Sequence, residues 1–216
     1  MTEKQIERIR TKIARVKRAL ADDKKRWGGY YDDSGGIRYM VPSLYLKIRD
    51  FRGAMNYFRW FDKNFPDDCC YGEFLLEWSL TLFMLGKVED ARQKIIDAYF
   101  GDTRVFNKFF GREVTMVDDT IDSYERDWSA VQVLGYSAEE KDWANFAIWL
   151  KDLLTSETFL SLSKEYLEIQ MQLQTEPDPA KRGNLRERKS ALKKNETCKE
   201  AKLPESKLTE PEIGFL

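Results

Sequence analysis

Apolar residues recur every three or four positions along most of the chain, which is the spacing of one face of an α-helix. In the first segment Ile6, Ile9, Ile13, Val16 and Leu20 form a narrow seam of heptad type. Thr2 stands where it can cap the start, and Gly28 and Gly29 end the helix beside Trp27. The seam spans fewer than three heptads, so it predicts a helix packed on the rest of the protein rather than a coiled coil. Residues 28–38, GGYYDDSGGIR, predict a turn between helices. Two helical hairpins are expected next, over about 39–65 with a break at Arg49-Asp50, and over about 71–100 with a break at Gly86-Lys87.

Beyond Gly101 a short piece around Phe106, Phe109 and Phe110 ends at Gly111, and a helix is expected over about 117–134. Ser137 and Glu140 have the spacing of a capping box for a helix over about 138–153, with Trp143, Phe146, Ala147, Leu150 and Leu154 on one face. Thr155 or Ser156 caps a further helix to about 174, whose inward residues are Phe159, Leu162, Tyr166, Ile169 and Leu173. Asp178-Pro179 reads as an N-cap followed by Pro in the first turn. The helix it opens, to about 196, is mostly charged, and Leu185 and Leu192 are its few anchors, so loose attachment is expected. Residues 200–216 carry Pro204 and Pro211 without periodicity and read as an extended or disordered tail.

The pattern predicts an all-α fold: antiparallel helical hairpins in a solenoid or bundle, with a basic N-terminal helix and a charged C-terminal helix and tail. Residues 1–175 form one domain, comprising the helix at 1–27, the hairpins at 37–100 and further helices at 101–175; residues 176–216 are an appendage.

Charge sharpens this picture. The formal net charge is −1, yet residues 1–26 carry 10 Lys/Arg against 4 Asp/Glu, residues 27–175 carry 16 against 25, and residues 176–216 carry 10 against 8. A basic first helix therefore meets an acidic body. Histidine is absent, which removes Ser-His-Asp and Cys-His nucleophiles, His-ligated metals and the commonest general base. The three cysteines, Cys69, Cys70 and Cys198, form neither a C-x-x-C pair nor a disulfide framework. No run approaches the roughly 18 apolar residues of a membrane span. The first twenty residues have neither the apolar stretch nor the cleavage site of a secretory signal, so a cytoplasmic location is expected.

In the first hairpin Tyr45, Asp50, Phe51, Ala54, Phe58 and Pro66, and in the second Gly86, Val88, Ala91, Ile95 and Ala98, fall at the spacing of a tetratricopeptide repeat (TPR). The chain resembles that family over roughly residues 37–100. The turn and second helix of each unit match, the first helices match poorly, and the second unit lacks the terminal Pro. The resemblance implies a scaffold that holds a partner segment in a groove lined by the first helices. Its walls would be Tyr39, Met40, Ser43 and Lys47 from one unit and Glu73, Leu76, Glu77, Leu80, Phe83 and Met84 from the other. That surface is apolar and acidic, so a protein or peptide segment with an apolar core and basic flanks is the implied partner.

Other candidates carry less. Asp118, Asp122 and Glu125 share a helical face that could hold a cation, but a solvated acidic face explains them as well, and no metal or cofactor is assigned. Ser161-x-x-Lys164 matches the S-x-x-K of serine acyltransferases without their partner motifs. The glycine-rich 28–38 loop lacks the Gly-Lys-Ser/Thr ending of a phosphate loop. The basic patch of Arg8, Arg15, Lys17, Arg18, Lys24, Lys25 and Arg26 suits phosphate neutralisation, although it has no interleaved aromatics for base stacking. The expectation is a non-catalytic protein-interaction module without a membrane partner. An accessory nucleic-acid-binding protein is the first alternative, and a carboxylate-dependent enzyme the second.

Overall fold

The computed structural model describes residues 1–32, 35–112 and 134–194. The helix expected over about 117–134, with Asp118, Asp122 and Glu125, and the tail from 195 onwards lie outside the described residues, Leu134 apart. Among the described residues every regular element is helical, and no helix is long and apolar enough to cross a membrane.

Helix α1 runs Glu3–Arg26. Thr2 and Gln5 close a capping box, the Thr2 amide donating to Gln5 Oε1 at 2.8 Å and the Gln5 amide to Thr2 Oγ1 at 3.3 Å. Ile13 and Leu20 are buried, and Ile9 and Val16 pack against the core. Their partner is α2 (Met40–Lys47) with the 3-10 turn Ile37–Tyr39 before it. The two helices run antiparallel. Met1 and Gln5 share a groove with Lys47 and Arg49 at the far end of α2, while Lys24 Nζ reaches Asn64 Oδ1 at 3.1 Å.

Helix α3 (Phe51–Asn64) returns along α2. Arg49 makes the turn with φ 57, the Asp50 carboxylate caps α3 by accepting the Gly53 amide at 2.7 Å, and a Cβ on Gly53 would lie 2.5 Å from the Tyr45 ring. Glycine is thus required there for close approach. Helix α4 (Gly72–Met84) is the central element, buried on all sides from Phe74 to Leu82. It packs against α2, α3, α5 (Val88–Gly101) and α6 (Arg104–Phe109). Phe58 stacks on Trp78 at 4.7 Å, and the Ser79 hydroxyl donates to the Ala91 carbonyl at 2.9 Å across the close contact that alanine permits.

Helix α7 (Ala144–Thr155) also rests on α4, with Phe83, Phe146 and Trp149 in one aromatic cluster. It begins later than the expected 138. The Glu140 carboxylate does accept the Ser137 amide at 3.1 Å, and the Ala138 amide donates to the Phe109 carbonyl at 2.8 Å, but the Glu140 backbone is extended (ψ 128), so no helix runs through it. The 3-10 turn Lys141–Trp143 leads into α7 instead. Ser156 caps α8 (Glu157–Thr175), where Tyr166 stacks on Phe100 at 3.8 Å.

Asp178 opens α9 (Pro179–Lys194) by accepting the Ala180 amide at 2.8 Å. This helix is docked on α8 and α5 rather than loosely attached. Leu185 is buried, Arg188 pairs with Glu165 at 2.8 Å, and Lys189 donates to Gln170 at 2.9 Å. Polar contacts add to the anchors that apolar spacing announced.

Candidate functional site

A groove of about 460 Å³ opens where α1, α2 and the segment before α7 meet. Each wall follows from a feature already described. Gln5, Arg8 and Ile9 come from α1, fixed by the seam that packs on α2. Ser43, Leu46 and Lys47 come from α2, one turn apart on its outer side. Tyr136, Glu140 and Trp143 form the third wall, anchored by the Ala138–Phe109 hydrogen bond.

Arg49 joins two of these walls. Its guanidinium lies 3.8 Å from the Trp143 ring centroid, pairs with Asp142, and sits 3.8 Å from Glu140. The left-handed backbone of Arg49 directs the side chain across the groove mouth. Ile9 lines the floor above the almost fully buried Leu46 and Trp143, and Arg8 and Lys47 put positive charge on the rim, where the charge of Arg49 is balanced by Asp142 and Glu140.

Carboxylates lie behind this surface, and none of them lines it except Glu140. Glu77 is 6% exposed. Burial, then the neighbouring Glu73, raises its pKa well above the usual carboxylate range, with Tyr136 and Lys47 opposing. Burial likewise raises Glu73, whose Oε1 has no hydrogen-bond partner. Burial and both glutamates push the Tyr136 hydroxyl far up. Tyr136 and Glu77 face each other without closing a hydrogen bond of normal geometry. A carboxyl enclosed in this way is not presented to a solute in the groove.

The residues expected to line one groove are therefore divided. Ser43 and Lys47 do line it. Leu76, Glu77 and Leu80 are buried in α4, Glu73 is half-buried, and Phe83 packs on Phe146 and Trp149. Tyr39 lies at the other end of α2, its hydroxyl donating to Asp68 at 2.6 Å, and Met40 and Met84 are exposed away from the groove. The chain itself covers the α4 side. Of the basic patch, only Arg8 reaches the groove; Arg15, Lys17, Arg18, Lys25 and Arg26 are exposed elsewhere on α1.

Comparison with protein-family models, with curated proteins and with solved structures gives no match. The site is thus read from its own chemistry. Among the described residues no cluster of His, Cys, Asp and Glu could hold a metal ion, and Ser161 and Lys164 are both exposed on α8.

Tyr136, Trp143, Arg49 and Ile9 were missed as wall residues. Trp143 and Ile9 read as core by periodicity, and Arg49 as part of a turn. The one available signal was the Ser137/Glu140 spacing, which marks a local change of chain direction before α7.

Proposed function

We propose that this chain is a non-catalytic protein-interaction module, TPR-like in its helical pairs, which holds a partner segment in the groove between α1, α2 and residues 134–143. The observation that carries this reading is a groove with an apolar floor under a rim of Arg8 and Lys47. A segment with an apolar anchor would bury it against Ile9 and the aliphatic stems of the rim residues. Its flanks would be acidic, because Glu77, which suggested basic flanks, is enclosed and the unpaired charges on the rim, Arg8 and Lys47, are positive.

The test is peptide display against the full chain. Enriched sequences should pair aliphatic or aromatic residues with Asp or Glu. Binding of those peptides should fall about tenfold or more in Lys47→Glu and in Ser43→Arg, since truncating or reversing a contact at a small groove costs on the order of 1–3 kcal/mol. Enrichment of basic peptides, or equal binding by both variants, overturns the assignment.

A further inference from the structure

Beyond Arg8, which also reaches the groove, the outward face of α1 leads away from it and has chemistry of its own. Lys4, Arg8, Arg15, Arg18 and Lys25 recur at spacings of four, seven, three and seven, which places them along one side of the helix, and all five are exposed. The opposite side, Ile9, Ile13, Val16 and Leu20, is packed on the body. The basic stripe extends about 32 Å from Lys4 to Lys25 at 1.5 Å per residue. Glu7 and Asp22 are the acidic residues along it, and Glu7 is matched by Arg10 at 3.9 Å.

Two aromatic side chains stand free at the basic end. Trp27 is 51% exposed and Tyr30 is 80% exposed, directly after Lys25 and Arg26. Their neighbour Tyr31 is by contrast spent on Trp60 and Phe65, and Lys24 is held by Asn64 and the Tyr31 ring. Aromatic interleaving was what the basic patch lacked within residues 4–26. The turn after α1 supplies it.

We infer that the basic face of α1 from Arg15 to Lys25, with Tyr30 in the turn beyond it, binds single-stranded nucleic acid. The cations would follow the phosphates, and Tyr30 would stack on a base released from pairing, while Trp27, seven residues after Leu20, leaves the helix end on the seam side. A membrane surface fits less well. An interfacial helix inserts its apolar face, and the apolar face of α1 is already committed to α2.

The test is fluorescence anisotropy of a labelled twenty-nucleotide oligothymidylate, titrated with the full chain from 50 to 300 mM salt. Binding should be present at 50 mM and weaken with a slope of about 0.7 in log Kd against log salt for each phosphate engaged, or about 3 in total. Arg15→Glu with Arg18→Glu should lower affinity at least tenfold and reduce that slope by about 1.4. Tyr30→Ala should lower affinity about tenfold with the slope unchanged, because a stacked base carries no counterions. Circular dichroism melts verify that these surface variants fold. Lys47→Glu, in the groove, should leave oligonucleotide binding within twofold, which separates this surface from the peptide site. No binding at 50 mM salt overturns the inference. So does binding that the Arg15/Arg18 pair leaves unchanged, or capture by phosphatidylserine vesicles in place of the oligonucleotide.

Discussion

Glu77 shows how far one side chain can depart from what its type suggests. A carboxylate at the sixth position of a helix, four residues after Glu73, reads as one of two acids on a wet face. It is 6% exposed because Tyr136 comes back over α4 from a segment sixty residues later in the chain. Its pKa is raised above the unfolded value of about 4.3, so the native state holds a proton that the unfolded state releases. Between those two pKa values stability falls as pH rises. Glu77→Gln removes the charge but keeps the shape. It should melt a few degrees higher than the parent at pH 8, at about 2–4 °C per kcal/mol for a chain of this size. The advantage should shrink steadily on acidification and vanish near pH 4. Thermal melts of both proteins from pH 4 to 8 check this, and a constant difference would show that ionisation is not the cause. No local pattern announced this burial, since periodicity reports which residues share a helical face and not what later returns to cover it. The same holds for Arg49, whose turn was legible but whose stacking on Trp143 depended on a contact ninety-four residues away.

Among the elements, α1 was the most legible. Its cap, its end and its five-residue seam all follow from short-range spacing, and Ile13 and Leu20 are buried as the seam requires. α7 was less so, because the backbone is extended at Glu140 and the helix starts only after it. α9 was legible in its two apolar anchors, Leu185, which is buried, and Leu192, which packs against the core; the contacts of Arg188 and Lys189 that add to them are polar, and hydrophobic patterning is blind to those. The seam of α1 gives the prediction at this scale. Ile9→Asp with Ile13→Asp places charge in the α1–α2 contact. Each fully covered aliphatic contributes about 1.5–3 kcal/mol, whereas exposed ion pairs along the helix contribute under about 1 kcal/mol. The melting temperature should therefore drop on the order of 10 °C and change little between 50 and 500 mM salt. A melt identical to the parent would mean that α1 adds nothing to the fold.

At the scale of the whole molecule, one hydrophobic core runs from Ile13 of α1 to Tyr166 of α8, around the fully enclosed α4. The helical class and the succession of hairpins were legible because both rest on contacts within thirty residues of sequence. The candidate groove was not, because its three walls come from residues near 5, 45 and 140. One consequence concerns the link between α1 and the remainder. Gly28 and Gly29 stand in open space with positive φ, and added side chains there would meet nothing. What holds α1 is the surface it shares with α2, so the peptide bond at that point is dispensable for assembly. A protease site inserted between Gly28 and Gly29 and then cut should leave two fragments that travel together through gel filtration. Released by denaturant and mixed again, they should recover the parent helical signal as a two-piece protein. A fragment that drifts away on cutting would show that the tether, rather than the interface, kept α1 in place.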